Sequence, residues 1–177
     1  MLARPNAPLR ERRVPRGVRR GLNVGVIAAA VLAVGGCGGT SKSGFVAKAE
    51  SLCQTAQSQA TPLIGILSKA ANGGLNPGKA RRLAPTVQSL YAVGAQLMHG
   101  LHALSEPSGD RATIHTFLAD GDSVVSALGI GSQSMVQGNV KAVENELSNF
   151  VPTMHKTKVA AVAYGMDICG ATLSPLG

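Results

Sequence analysis

The stretch FVAKAESLCQTAQSQATPLIGIL, Phe45 to Leu67, carries apolar residues at Phe45, Ala49, Leu52, Cys53, Ala56, Ala60, Leu63, Ile64 and Leu67. Steps of three and four mark one face of an α-helix, whereas a strand would alternate every second residue. The spacing predicts a long helix from about Gly44 to Ala71. Pro62 falls inside it and removes a backbone donor, so a bend or a split is expected there. The run NGGLNPG, Asn72 to Gly78, stops this helix and starts another, with Asn76 as N-cap and Pro77 at the first helical position.

Working outward, a second helix runs to about Leu104 on the stripe Leu83, Val87, Leu90, Leu97, Leu101 and Leu104, with Gly94 allowing close approach. A third begins near Asp110 and carries Ile114, Phe117, Leu118, Val125, Leu128 and Met135. Glycines at 121, 129 and 131 weaken its second half. Asn139 starts a fourth, with Val140, Val143, Leu147, Phe150, Val151, Met154, Ala161 and Val162 inward; Pro152 interrupts it and Gly165 is a natural C-cap. The remainder, MDICGATLSPLG, reads as a short tail. No sustained alternating, β-branched segment supplies a sheet. The fold class is all-α, and four helices with short connections fold most simply as an antiparallel four-helix up-and-down bundle. That topology puts the start of the first helix and the end of the fourth at one end, together with Cys53 and Cys169.

The charge has to be located before it is interpreted. The 177 residues carry a formal +8, but residues 1–36 hold seven arginines against Glu11 for a net of +6, leaving +2 on the rest. With no basic stripe on the folded part and only three Phe, two Tyr and no Trp, nucleic-acid binding has neither its electrostatic footprint nor its stacking platforms. Residues 1–36 instead have the layout of a cleaved signal peptide: an arginine-rich start to about Asn23, an apolar run from Val24 to Val34, then Gly35 and Gly36. Eleven apolar residues are too few for a membrane span, which wants about 20.

The residues AVGGC resemble the lipobox of bacterial lipoproteins, with Val34, Gly35 and Gly36 as the signal-peptidase recognition residues before Cys37. The resemblance implies that Cys37 takes a diacylglyceryl group and becomes the mature N-terminus; Leu is commoner than Val34 at its place. Residues 37–44 then form a flexible Gly/Ser tether, and residues 45–177 a helical bundle domain. If Cys37 is acylated, Cys53 and Cys169 remain, and in an exported chain a disulfide is their expected fate; two unpaired buried cysteines are the alternative. No CxxC redox motif is present. The whole mature chain resembles a group of small actinobacterial lipoproteins and exported helical-bundle proteins, through Phe45, Val46, Ala49, Glu50, Leu52 and Cys53 at its opening and Tyr164, Gly165, Cys169 and Gly170 at its close. Tyr164 stands where Leu is commoner. The resemblance implies a Cys53–Cys169 bridge and carries no activity.

Candidate chemistry is sparse. Gly121, Asp122 and Ser123 spell the opening of the GDS-type hydrolases, but no strand precedes the serine and no Asp-x-x-His follows it. His99 and His102 lie three apart on a helix, with His115 beyond the next turn. At about 100° per residue, His99 points away from the core direction set by Leu90, while His102 and His115 lie on flanks at one end of the bundle. They are the candidate metal residues, although two imidazoles do not close a zinc site. The pairs Met98-His99 and Met154-His155 suit copper only if the methionines are not core fillers. Glu144 and Glu146 lack the Glu-x-x-His spacing of di-iron bundles. The expectation is a lipid-anchored, non-enzymatic binding or interaction module on the extracytoplasmic face of a bacterial cell membrane, without cofactor and with an envelope protein or ligand as partner. A metal- or small-ligand-binding envelope protein is the alternative, and an apolar pocket between splayed helices near Pro62 and Pro152 would favour a ligand.

Overall fold

In the computed structural model, which describes residues 40–172, the apolar stripes form four long helices and a short fifth: α1 (Lys42–Ala71), α2 (Pro77–His102), α3 (Arg111–Gln137), α4 (Val140–Tyr164) and α5 (Asp167–Thr172). The segment expected to be a signal peptide, residues 1–36 with Val34, Gly35 and Gly36, and Cys37 lie outside the described residues. Side-chain oxygens set three of the starts. Ser41 accepts from Gly44 N at 3.1 Å, Asn76 from Lys79 N at 2.9 Å and Asn139 from Ala142 N at 3.1 Å, each satisfying an amide that the helix leaves free. Two ends are set by glycines in the left-handed region, Gly138 at φ 71° and Gly165 at φ 94°.

The prolines do not split their helices. Pro62, Pro85 and Pro152 all sit on exposed faces of continuous helices, and the residues one turn back, Ser58, Arg81 and Ser148, are exposed too. A carbonyl that loses its amide partner on the solvent side is hydrated, so the helix can run on. Two of the three glycines expected to weaken helix three are contact points between α2 and α3, Gly121 under Met98 and Gly129 under Tyr91, where a Cβ would lie 3.1 Å from the ring, while Gly131 faces open space. On α2, a Cβ at Gly94 would come within 3.0 Å of Val125 Cγ2.

Successive long helices pack in chain order, α1 on α2, α2 on α3 and α3 on α4. The ring is closed differently from the plain four-helix expectation. Asp167–Thr172 is not a tail but α5, which packs on both α1 and α4 and occupies the seam between them. The Cys53–Cys169 disulfide joins α5 to α1. Both oxygens of Glu50 accept from Ile168 N, at 3.0 and 2.9 Å, so an α1 carboxylate satisfies a free amide of α5. Thr172 Oγ1 donates to Ile168 O at 2.8 Å and lies 3.3 Å from Cys53 O. The residues that carried the lipoprotein resemblance therefore converge on one junction. Phe45, fully buried, meets the Tyr164 ring edge-on with centroids 6.1 Å apart, and Lys42 Nζ lies 4.3 Å from the centre of that ring.

Tyr164 also ties α4 to the start of α3, its hydroxyl donating to Asp110 Oδ2 at 2.8 Å. Burial first, and then the Asp110 carboxylate, push the phenol up from 10.0 to about 12. The folded state thus favours the neutral phenol. Its contribution to stability is complete below pH 10 and is lost as pH rises through about 12. Tyr164→Phe should cost about 1 kcal/mol near neutral pH and flatten the alkaline fall in melting temperature. Melting curves between pH 8 and pH 12 check this; an equally steep fall in the variant would remove Tyr164 as its source.

Candidate functional site

The buried residues form two clusters, not one. The larger, at the α5 end, includes Phe45, Ala49, Leu101, Ile114, Phe117 and Met166. The smaller, at the end where α1 turns into α2 and α3 into α4, gathers Ala80, Ala84, Val87, Met135 and Val143. Between them lies a cavity of about 440 Å³ whose walls come from all four long helices. Alpha 1 contributes Ala56, Ala60, Ile64 and Leu67; α4 contributes Val143, Leu147, Phe150 and Met154; α2 and α3 form the back with residues such as Leu90, Leu97 and Val124.

The cavity follows from how the ring closes. A six-residue α5 reaches only part of the α1–α4 seam, and α1 and α4 are not themselves a packed pair. Beyond Thr172, which lines the cavity, their facing stripes stand apart. Small side chains at Ala56 and Ala60 on α1 widen the space. Leu147 is 48% exposed although it lines the wall, and Ser68 on α1 and Gly74 in the α1–α2 turn are exposed lining residues as well, so the mouth is bordered by α4, α1 and that turn. Val151, one turn further, is 52% exposed and continues the apolar surface outward. Pro62 and Pro152 flank the cavity, between Ala60 and Ile64 on one helix and Phe150 and Met154 on the other. Among the described residues its polar side chains are two hydroxyls, Ser68 and Thr172, and no ionisable side chain lines it. Such a wall favours an uncharged, flexible apolar group and penalises a bare charge, which would enter unpaired.

The histidines are not brought into one site. His102 Nε2 pairs with Asp122 Oδ2 at 2.9 Å, and His115 Nε2 with Glu106 Oε2 at 3.0 Å, so each imidazole is held by a carboxylate of its own. Among the described residues no three His, Cys, Asp or Glu side chains are grouped to hold a metal ion. Met98 and Met154 are core residues, 3% and 4% exposed, and Met98 packs over Gly121. Ser123 donates its hydroxyl to Ala119 O on its own helix at 2.9 Å, which leaves it without a base. The cavity itself could not be read from periodicity, because stripes report which face turns inward and not how far apart two facing stripes stand. The chain matches no family model, no curated protein and no solved structure.

Proposed function

We propose that this protein is an exported lipoprotein of the bacterial cell envelope, anchored through acylated Cys37, whose helical domain binds a small apolar ligand without transforming it. The observation that carries the ligand reading is the cavity of about 440 Å³ between the two core clusters, which falls within the range of about 300 to 1,000 Å³ typical of ligand pockets. A small ligand is favoured over a metal because His102 and His115 are engaged by separate carboxylates. The wall offers shape and desolvation rather than proton transfer, which suits capture and release. The anchor and a tether shorter than expected, since Lys42, Ser43 and Gly44 belong to α1, would hold that capture site near the membrane, and the disulfide would keep it folded outside the cell.

The test uses the full chain carrying Cys37→Ser, so that no attached acyl chain competes, and the neutral probe N-phenyl-1-naphthylamine. Saturable fluorescence enhancement at one probe per chain is expected. Ala60→Phe places a ring in the cavity and should weaken probe binding at least tenfold with an unchanged circular dichroism spectrum; Val87→Phe, from the opposite wall, should do the same. Enhancement that is equal in all three proteins, or absent from the parent, would overturn the reading.

A further inference from the structure

The apolar cavity has a basic end. From Ser51 to Ser105 the chain contains no acidic residue, while Lys69, Lys79, Arg81 and Arg82 all fall in that interval. The up-down order collects these four at the end of the bundle where α1 turns into α2, and Lys141 joins them from the first turn of α4. Arg81 reaches across to the α3–α4 turn, its Nη2 donating to Gln137 O at 3.3 Å. Lys79 Nζ donates to the carbonyls of Asn72 and Gly74, both at 2.8 Å, and Gly74 lines the cavity. Lys69 stands between Ser68 and Ala70, both on the wall; Lys141 is two residues from Val143, also on the wall. Glu144 and Glu146 are the acids in this part of the bundle, two against five cations. Among the described residues the ion pairs, His102 with Asp122, His115 with Glu106 and Lys156 with Asp120, use none of the five.

Building on the apolar-ligand reading, we propose that the ligand is a single-chain amphiphile with an anionic phosphate head, its chain in the cavity and its head at the basic α1–α2 turn. Volume sets the chain. A cavity of 150 Å³ holds one benzene, so 440 Å³ holds about 18 carbons by the same measure, the size of one acyl chain. Charge sets the head: a phosphate cannot be buried among aliphatic walls and two hydroxyls, and the excess of cations over acids, five against two, lies at one end of those walls. Exposed contacts of this kind are individually weak and are screened by salt, so the head tunes affinity and orientation while the chain supplies most of the binding.

Displacement of N-phenyl-1-naphthylamine from the Cys37→Ser full chain by dodecyl phosphate and by 1-dodecanol, each below its micelle concentration, separates the two parts. Dodecyl phosphate should bind about tenfold more tightly at low salt, as three exposed charge contacts together allow. The advantage should shrink to less than about threefold in high salt, and equally in Lys69→Gln/Arg82→Gln/Lys141→Gln, with dodecanol binding unchanged. Equal affinity of the two amphiphiles in the parent would overturn the head-group proposal and leave the cavity reading standing. Failure of both to displace the probe would overturn the cavity reading itself. A phosphate advantage that survives the triple substitution would place the head elsewhere and overturn the assignment to this turn.

Discussion

Replacing Cys53 and Cys169 together by serine should lower stability by about 4 to 5 kcal/mol, the chain-entropy value for a loop of 116 residues. For a domain of this size that is a fall of roughly 15 °C in melting temperature. The crosslink acts mostly on the unfolded chain, which it prevents from expanding. Opening it should therefore also raise the denaturant slope, because more surface becomes exposed on unfolding. The same shift should follow when the native protein is reduced, and reductant should leave the double variant unmoved. Native and variant proteins that melt together in non-reducing buffer would show that the bridge contributes nothing. Folding is not expected to fail outright, since Glu50, the Thr172 hydroxyl bonded to the backbone carbonyl of residue 53, and the buried Phe45–Tyr164 contact still hold the junction.

That junction shows how far the sequence was legible. Asn76, Pro77, Asn139 and Gly165 mark helix boundaries through chemistry confined to a few neighbouring residues, so the four long helices could be located from local signals. Alpha 5 could not be. Six residues contain too few turns for a period to show, and one of its free amides is satisfied by Glu50, 118 positions earlier. Pro62 and Pro152 were ambiguous for a related reason: a proline breaks a helix or rides on it according to whether the freed carbonyl meets solvent, and tertiary packing decides that. Asp110 was readable as a helix start, but its carboxylate serves Tyr164 instead of capping α3.

The cavity was legible only as a condition. The inward stripes of α1 and α4 were both readable, and Pro62 and Pro152 pointed to the region where they part. Whether those stripes meet depends on what lies between them. At one end α5 fills the seam; at the other no element among the described residues does, and Ala56 and Ala60 are too small to cross it. The histidines failed as a site for an equally physical reason. His102 and His115 lie on flanks, as their helical positions required, but Asp122 and Glu106 reach each imidazole first.

Cys37→Ser should shift the protein almost completely out of the lipid-modified membrane fraction. Each buried methylene contributes about 0.8 kcal/mol, and a single saturated chain gives only marginal, reversible attachment, whereas two chains anchor stably. The lipobox reading gives Cys37 two such chains through one thioether, so the whole anchorage rests on one sulfur. Serine keeps the size of the side chain but replaces the thiol that forms the thioether with a far weaker nucleophile. The expected result is loss of labelled palmitate from the protein and its move from the detergent phase to the aqueous phase, either as a released chain or as an unprocessed precursor. The precursor would still carry the apolar run Val24 to Val34 and could sediment with membranes, which is why the label decides and sedimentation does not. Undiminished palmitate on the serine variant would place the acylation elsewhere and remove Cys37 as the anchor. It would also leave Cys37 as an odd cysteine without an assigned role, because Cys53 and Cys169 are joined to each other.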